Sequence, residues 1–301
     1  MPDPLRPLLA RSYLYAPGHV ERFLQKIFDV GADAVILDLE DAVPPAEKRK
    51  AREMVAEVLR KREGMKGPQI YVRINSLAGD LWREELEAIV QPALYGIRVP
   101  KVESRESMIV LDGALRQAEE RAGLAPGSVR VVPAVETAAG VLAAAEIVRN
   151  PRVVSLGLGG VDLLRDLSME PDPSGLQLLY AQSYVVLVSR AAGLIPPVAT
   201  VHPQVKDLEG LRATSLAAKR LGFFGRACIH PSQIAVIHEV FTPSPDQIAR
   251  ARAIVEAFHA AAARGSGAFL MEDGEFVDIP VAERAQALVN LAESLNRRSE
   301  N

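Results

Sequence analysis

Hydrophobic and polar positions alternate between two periods along most of the chain. Short runs rich in β-branched residues are each followed by a longer stretch in which apolar residues recur every three or four positions. This pattern is typical of strands followed by amphipathic helices. The predicted strands are Ser12–Ala16, Ala34–Leu39, Ile70–Ile74, Ile97–Val99, Val131–Val135, Val153–Leu158, Val198–Val201 and Arg226–Ile229.

A helical pattern follows each predicted strand, and parallel strands need such crossover helices. Eight strand–helix units over about 240 residues predict a closed (β/α)8 TIM barrel. A doubly wound open sheet is the alternative, but the turn after the first strand, APGHVER, has only Gly18 and lacks the glycine-rich loop usual there. The predicted helices are Val20–Val30, Ala46–Arg62, Leu81–Val90, Ser104–Ala122, Thr137–Val148, Leu178–Ala192, Leu208–Leu221 and Ser232–Val240.

The pattern changes after the eighth unit. An alanine-rich helix is predicted over Asp246–Arg264, a hairpin around Asp273–Gly274 and a closing helix over Val281–Leu295. This tail is too small to fold alone. We therefore expect residues 1–241 to form the barrel and residues 242–301 to form an extension that packs on the barrel or on a neighbouring subunit.

Composition and charge narrow the class of protein. The 301 residues carry a formal net charge of -3, which gives no general nucleic-acid surface. No apolar run approaches the roughly 20 residues that cross a bilayer, and the N-terminal MPDPLRPLLARSY is too short and proline-broken for a signal peptide. The single cysteine, Cys228, excludes an internal disulfide and is expected to be plain packing in a reducing compartment. We expect a cytoplasmic protein that binds neither nucleic acid nor membranes.

Polar residues follow nearly every predicted strand. In this fold the active site forms at the carboxyl ends of the strands, so these side chains should share one rim. They are Asp38, Glu40, Asp41, Arg73, Asn75, Lys101, Glu103, Glu136, Asp162, His202 and His230. Charges of both signs at one rim are costly unless they are paired or bound to a metal.

Two of these acids suggest a metal site. Glu136 and Asp162 follow adjacent strands, and Mg²⁺ takes one or two protein carboxylates while it keeps several waters. Gly159 and Gly160, just before Asp162, would let backbone N–H groups approach a substrate carboxylate. Arg73 could clamp an oxyanion with two parallel hydrogen bonds.

Spacing alone leaves structural roles open for the same residues. Glu136 could be a helix N-terminal acid, and Asp162 could cap the helix that follows it. Arg73 could form a buried structural ion pair with Glu40 or Asp41. His230 could be a packed core histidine or a helix-start residue, and Lys101 suits an ion pair better than an imine. Their joint occurrence at one rim favours the functional interpretation.

Seven motifs make the sequence resemble a known family. They are SYLYAPGHVERF, ADAVILDLEDAVPPAEK, VRIN, VPKVES, PAVETAAG, CIHPSQIAVIHEVFTPS and FVDIP, in this order between about Arg11 and Leu295. Together they resemble the citrate lyase β-subunit-like family of the HpcH/HpaI aldolase superfamily.

The resemblance implies a TIM barrel and an Mg²⁺-dependent carbon–carbon lyase that forms a homotrimer or hexamer. Its substrates would be β-hydroxyacyl thioesters such as citryl-, malyl- or citramalyl-CoA, cleaved to an α-keto acid and an acyl-CoA. By motif, Glu136 and Asp162 are the metal ligands and Arg73 lies at the substrate. Asp278 of FVDIP matches the family's C-terminal acid, which reaches an active site from a neighbouring subunit.

Other matched positions and two departures bear on substrate choice. Glu40 and Asp41 match positions near the metal waters and Arg73. Val161 stands where the family usually has glutamate, and VATVHPQVKDLEGL replaces a segment that is often acidic or aromatic.

Three other functions stay open. The chain could be a citrate lyase subunit that acts on an acyl-carrier-protein thioester, or a non-catalytic barrel scaffold. It could also be a CoA-independent aldolase for 4-hydroxy-2-oxo acids, although those simpler enzymes generally lack the FVDIP tail.

Overall fold

The computed structural model describes residues 9–172 and 175–299. Residues 1–8, which carry most of the N-terminal run considered above, lie outside these ranges. Within them, no helix combines the length and the apolar character needed to cross a membrane. The strands are β1 Ser12–Pro17, β2 Ala34–Asp38, β3 Gln69–Arg73, β4 Gly96–Val99, β5 Arg130–Val135, β6 Gly157–Leu158, β7 Arg226–Cys228, β8 Phe269–Leu270 and β9 Phe276–Val277.

The helices follow the strands as the apolar periodicity predicted. Several begin at side-chain caps, since Ser104, Thr137 and Asp207 each accept a hydrogen bond from a backbone N–H in the first turn of their helix. They are α1 Glu21–Lys26, α2 Lys48–Lys61, α3 Leu81–Ile89, α4 Arg105–Arg121, α5 Ala138–Ile147, α6 Gly160–Asp166, α7 Leu179–Ala191, α8 Leu208–Leu221, α9 Ile234–Phe241, α10 Pro245–Ala263 and α11 Ile279–Ser299.

The first seven strands form one parallel sheet in the order β6-β5-β4-β3-β2-β1-β7. Two parallel bridges, Gly157 with Val198 and Ala199 with Arg226, connect its two outer strands through the seventh predicted strand, Val198–Val201. The ring is therefore closed, which confirms the (β/α)8 barrel and shows that the open-sheet alternative was wrong.

Two predicted strands are shorter than expected. Val153–Leu158 contributes the bridge at Val153 and the two-residue β6, and Val198–Val201 contributes only isolated bridges. The two prolines before Val198 lack backbone N–H donors and limit the ladder there. The helix that Asp162 could have capped instead begins at Gly160, two residues before Asp162, although Gly159 and Gly160 have low helix propensity.

The lower interior of the barrel is filled by apolar side chains. Tyr71 is 1% exposed, and its ring lies 5.9 Å from that of Tyr13 and 5.3 Å from that of Tyr95. Val132 and Val198 complete the same cluster from the opposite wall. Alternate residues of a strand face the same side. The next inward-facing positions beyond this apolar cluster therefore lie at the carboxyl ends of the strands, where the side chains are polar.

The chain divides into two compact units, one ending at Glu239 and the other beginning at Val240. The second unit holds the predicted helix, hairpin and closing helix. Ser244 and Gln247 form a capping box at the start of α10, and Gly274 has φ of 85° in the turn between β8 and β9. Its core contains Ile254, Val277 and Val289, among others.

Candidate active site

A pocket of about 240 Å³ opens at the carboxyl ends of the barrel strands. It is lined by residues of β1 to β6 and of the segment Val198–Val201, which forms isolated β-bridges. Its polar and mouth residues are Tyr15, Asp38, Arg73, Arg98, Glu136, Gly159, Gly160, Val161, Asp162 and Thr200. Most of the predicted site residues in the first unit therefore share one pocket.

Glu136 leaves β5 just before helix α5 and is buried, at 8% exposure. Thr137, not Glu136, caps that helix by accepting from the Gly140 N–H at 3.1 Å. The Glu136 side chain lies against Gly159, where a Cβ would come within 2.6 Å of the Glu136 Oε1. Gly159 thus makes room for this carboxylate. No hydrogen-bond donor or ion-pair partner contacts the Glu136 carboxylate in the part of the chain that the structure describes.

Asp162 lies in the first turn of α6, whose N-cap position is Gly159. The expectation that Asp162 could cap this helix was therefore wrong. One carboxylate oxygen lies 2.8 Å from Nη2 of Arg165, a residue whose side chain is 74% exposed. A partner so exposed to water holds Asp162 weakly, so the carboxylate can turn toward a cation in the pocket.

Burial and the charge of Asp162 raise the pKa of Glu136 to about 7. Glu136 is buried, no donor among the described residues contacts its carboxylate, and the charge of Asp162 disfavours its ionisation. Such a carboxylate beside a second one is a suitable donor set for a divalent cation. Over residues 9–172 and 175–299, no group of three or more His, Cys, Asp or Glu side chains could hold a metal. The pair therefore fits Mg²⁺, which needs only one or two protein carboxylates, rather than a site closed by protein ligands.

The raised pKa of Glu136 predicts a pH dependence of stability. Between about pH 4.5 and pH 7 the folded state holds a proton that the unfolded chain has released, so metal-free protein loses stability as the pH rises. The loss should reach at most roughly 3 kcal/mol, and Mg²⁺ should offset it by favouring the ionised form. Urea unfolding at pH 5 and pH 8, with chelator or with Mg²⁺, measures this.

Glu136→Gln is the control variant for this pH experiment, because it removes the titrating group. For this variant, the free energy of unfolding should change with pH in nearly the same way in chelator and in Mg²⁺. Wild-type stability that follows the same pH course with and without Mg²⁺ would contradict the assignment.

Arg73 at the end of β3 is held mainly by Asp38, the residue opposite it in β2. Nε and Nη2 of Arg73 donate to the two Asp38 carboxylate oxygens at 2.6 Å each. Nη1 lies 2.8 Å from Glu40 and 3.7 Å from Asp41, and the guanidinium carbon lies 5.2 Å from the centre of the Tyr15 ring. The ion pairs expected with Glu40 and Asp41 are present, but Asp38 is the principal partner.

Arg73→Lys should therefore lower the free energy of unfolding even though it keeps the charge. An ammonium cannot replace the paired hydrogen bonds to buried Asp38, and the loss should be about 2 kcal/mol. Chemical denaturation measures it. The matched control is Arg212→Lys at the exposed ion pair with Glu239, where the change should stay below about 1 kcal/mol. Equal effects at both positions would contradict this account.

Lys48 and Lys101 fix the loop that carries the other acids. Lys48 Nζ donates to the carbonyl oxygens of Leu39 and Glu40 at 2.7 Å each. Lys101, in the left-handed region with φ of 52°, donates to Glu40 Oε1 at 2.8 Å. Burial lowers the pKa of Lys101, but the hydrogen bond and charge of Glu40 outweigh this and raise it. A lysine held in its ionised form forms an ion pair, not an imine.

The remaining first-unit predictions have mixed outcomes. His230 begins a short 3₁₀ helix, accepting from the Ser232 N–H, so it is a helix-start residue. His202 lies 3.3 Å from Asp207. Cys228 is fully buried and its pKa is raised to about 12 by burial, as plain packing requires. Val161 is 69% exposed and lines the pocket, so an apolar side chain lies at its mouth.

Asp278 lies in the second unit, immediately before α11. Its Oδ1 accepts from the Val281 N–H at 3.2 Å and its carbonyl from the Ala282 N–H at 3.0 Å. It therefore caps the last helix.

Sequence reasoning missed the roles of two residues. The expected partners of Arg73 do not include Asp38, although alternation along β2 puts Asp38 on the inward face with Ile36, beside Arg73. The predicted rim residues do not include Arg98. It is 7% exposed and lies in register with Arg73 on the next strand. A charged residue inside the four-residue strand GIRV was the available signal.

The chain is thus a closed (β/α)8 barrel protein with a candidate divalent-cation site. The site consists of a carboxylate pair, beside an ion-paired arginine, at the carboxyl ends of the strands. The chain belongs to the HpcH/HpaI aldolase/citrate lyase family, whose model matches residues 11–231. It is 32% identical over 287 residues to the citrate lyase subunit beta of Haemophilus influenzae, covering 95% of this chain and 98% of that protein.

Two further comparisons agree with this membership. The chain is 32% identical over 308 residues to the mitochondrial citramalyl-CoA lyase of Homo sapiens, covering 96% of this chain and 87% of that protein. Among solved structures, it is similar to the CitE protein of Mycobacterium tuberculosis in complex with magnesium, acetoacetate and coenzyme A. That match has a TM-score of 0.77 and 30% identity, and it covers 95% of this chain and 98% of the other.

Proposed function

We propose that the chain is an Mg²⁺-dependent lyase that cleaves a β-hydroxyacyl-CoA into an α-keto acid and an acyl-CoA. The observation that carries this is the buried Glu136 carboxylate, which no donor among the described residues contacts and which shares a pocket with Asp162 and Arg73. The magnesium-bound CitE structure and the citramalyl-CoA lyase relative support the cofactor and the thioester class.

Glu136 and Asp162 would hold the Mg²⁺. When bound, the ion would supply Lewis-acid polarisation and a fixed orientation for a hydroxy acid. Gly159 and Gly160 leave the backbone beside the pair accessible to the carboxylate of that acid.

Asp278 is the proposed base, and it removes the proton of the substrate hydroxyl. The Cα–Cβ bond then breaks, the carbon that carried the hydroxyl becomes the keto carbon, and the electron pair moves onto the thioester fragment. Arg73, with its orientation fixed by Asp38 and Glu40, stabilises the resulting enolate. Protonation of that enolate gives the acyl-CoA.

The position of Asp278 makes oligomerisation part of the proposal. The family resemblance implies that this acid acts at a neighbouring subunit's site, so we propose a homotrimer, or a hexamer of two trimers, with residues 242–301 at the interface. Glu40 and Asp41 would lie near the metal waters, since the charge of Glu40 already acts on Glu136. We expect the protein to be cytoplasmic.

A second candidate is a lyase subunit acting on an acyl-carrier-protein thioester. The similarity to the Haemophilus influenzae citrate lyase subunit favours it. The chemistry at the metal would be the same, but the thioester carrier would be a protein partner instead of CoA.

The test is a panel of citryl-, malyl- and citramalyl-CoA assayed with the purified chain, with Mg²⁺ or with chelator. The proposal expects a keto acid and an acyl-CoA in equal amounts from at least one compound, only with Mg²⁺. Cleavage of acyl-carrier thioesters alone would favour the second candidate. Release of free CoA thiol without a keto acid, or no reaction with either carrier, would overturn the lyase proposal.

A further inference from the structure

Arg98 is an inward-facing arginine in the wall of the candidate pocket. It shares its strand face with Gly96, whose added Cβ would meet the interior Tyr71 ring at 3.1 Å. Its guanidinium reaches across the barrel to β6, with Nη2 2.9 Å from where a Cβ of Gly157 would be. Arg98 lines the same pocket as Glu136 and Asp162, and 93% of its surface is buried.

The charge of Arg98 is not balanced inside the protein. Within residues 9–172 and 175–299, no carboxylate forms an ion pair with it and no acceptor takes a hydrogen bond from its guanidinium. The neighbouring Arg73 shows the contrast, because it is bound by Asp38 and Glu40. A buried charge without a partner is costly, which makes a bound anion the natural complement of Arg98.

The side chains around the guanidinium are small. Gly157 and Ala134 face it across β5 and β6, and the added Cβ at Gly157 would also lie 3.4 Å from the Ala134 Cβ. A Cβ at Gly157 would clash with Nη2 of Arg98, so this glycine makes room for the guanidinium itself. Arg98 and Ala134 both line the pocket, so the pocket wall beside the cationic group carries a small side chain.

The distance between Glu136 and Arg98 in the pocket fits one molecule with one end at Glu136 and the other end at Arg98. Glu136 lies against Gly159 and Arg98 lies against Gly157, two residues earlier on the same segment. Two residues of strand correspond to about 7 Å. A four-carbon keto acid chelated beside Glu136 could place a second carboxylate near Arg98.

We propose that Arg98 determines substrate specificity by binding a second carboxylate on the keto-acid half of the substrate. The substrate class is then a hydroxyacyl thioester whose cleavage gives a dicarboxylic keto acid. This inference rests on the proposed lyase function and deepens it. A guanidinium and a carboxylate can form two parallel charge-assisted hydrogen bonds, so an uncharged substituent of the same size is rejected.

The test compares keto acids that differ only at this end. Isothermal calorimetry in the presence of Mg²⁺ measures the binding of three keto acids. They are freshly dissolved oxaloacetate, pyruvate, and 4-methyl-2-oxopentanoate, an isostere of oxaloacetate in which an uncharged isopropyl group replaces the second carboxylate. Wild-type protein should bind oxaloacetate about 100-fold more tightly than the isostere. Arg98→Met should abolish this preference while leaving the affinity for pyruvate within a few-fold.

Two controls separate recognition from structure. Arg130→Met removes an arginine of the same barrel that stacks on Tyr95 outside the pocket, and it should keep the wild-type preference. Thermal unfolding of Arg98→Met should show an equal or higher midpoint than wild type, because a buried unpaired charge is removed. A purely structural arginine would lower the midpoint.

The outcomes of these binding measurements distinguish failure of this inference from failure of the proposed lyase function. If wild type binds pyruvate with Mg²⁺ but oxaloacetate no more tightly than the isostere, Arg98 does not bind a carboxylate and the lyase proposal stands. An unchanged preference in Arg98→Met overturns the inference in the same way. Failure of every keto acid to bind with Mg²⁺ overturns the lyase proposal and this inference together.

Discussion

Glu136→Gln should reduce Mg²⁺-dependent keto-acid release by well over 100-fold, and Asp162→Asn should do the same. Loss of residues that only support a metal ligand costs about 10–100-fold, and loss of one of just two protein ligands should exceed this. The amide keeps the size of Glu136 and its fit against Gly159, so the fold should survive. Steady-state turnover against Mg²⁺ concentration is the measurement.

The matched control for Glu136→Gln is Glu146→Gln, an exposed acid of α5 that pairs with Arg149. It should keep wild-type turnover. Circular dichroism and unfolding midpoints show whether the inactive variants remain folded. Full turnover of Glu136→Gln or Asp162→Asn in chelator would show that the metal assignment is wrong.

Asp278→Asn should lower kcat by about 10²–10⁴ while binding of the thioester changes little, as expected for loss of a general base. Asparagine caps helices as well as aspartate does, so the cap on α11 should remain. The control is Asp273→Asn in the adjacent hairpin, which removes a carboxylate paired with Arg250 and should leave kcat unchanged. An unchanged kcat in Asp278→Asn would remove this residue from the mechanism.

A mixing experiment asks whether Asp278 acts on a neighbouring subunit. Glu136→Gln and Asp278→Asn subunits are each expected to be inactive alone. Unfolded together and refolded as mixed oligomers, they would contain some sites with an intact pocket and an intact neighbouring tail. Restored turnover is the expected result, and its absence with verified mixed oligomers would argue against catalysis across an interface.

The barrel could be predicted from the sequence because its signal is repeated. Eight apolar runs, each followed by a helical period, outweigh weak individual elements such as Val153–Leu158 and Val198–Val201. Their boundaries could not be predicted, because pairing at those positions depends on neighbours that are distant in the chain. The start of the short helix after Gly159 could not be predicted, because glycine, a poor helix former, opens it.

The site was predictable in its members but less so in its pairing. Glu136 and Asp162 follow strands and Arg73 ends one, and a barrel must bring such positions to one rim. Which acid binds Arg73 depends on strand register, which sets Asp38 opposite it. Arg98 escaped notice because it lies inside a strand, before its last residue. That no described residue pairs with its guanidinium is visible only in three dimensions.

The most direct test of the central claim is a crystal soaked in Mn²⁺ with a keto acid, measured at the manganese absorption edge. Mn²⁺ takes the same oxygen ligands as Mg²⁺ and can be located by its anomalous signal. The account predicts one strong anomalous peak bound by both the Glu136 and Asp162 carboxylates, with the keto acid on the same ion. No peak between these side chains, or a peak that leaves either carboxylate uninvolved, would contradict it.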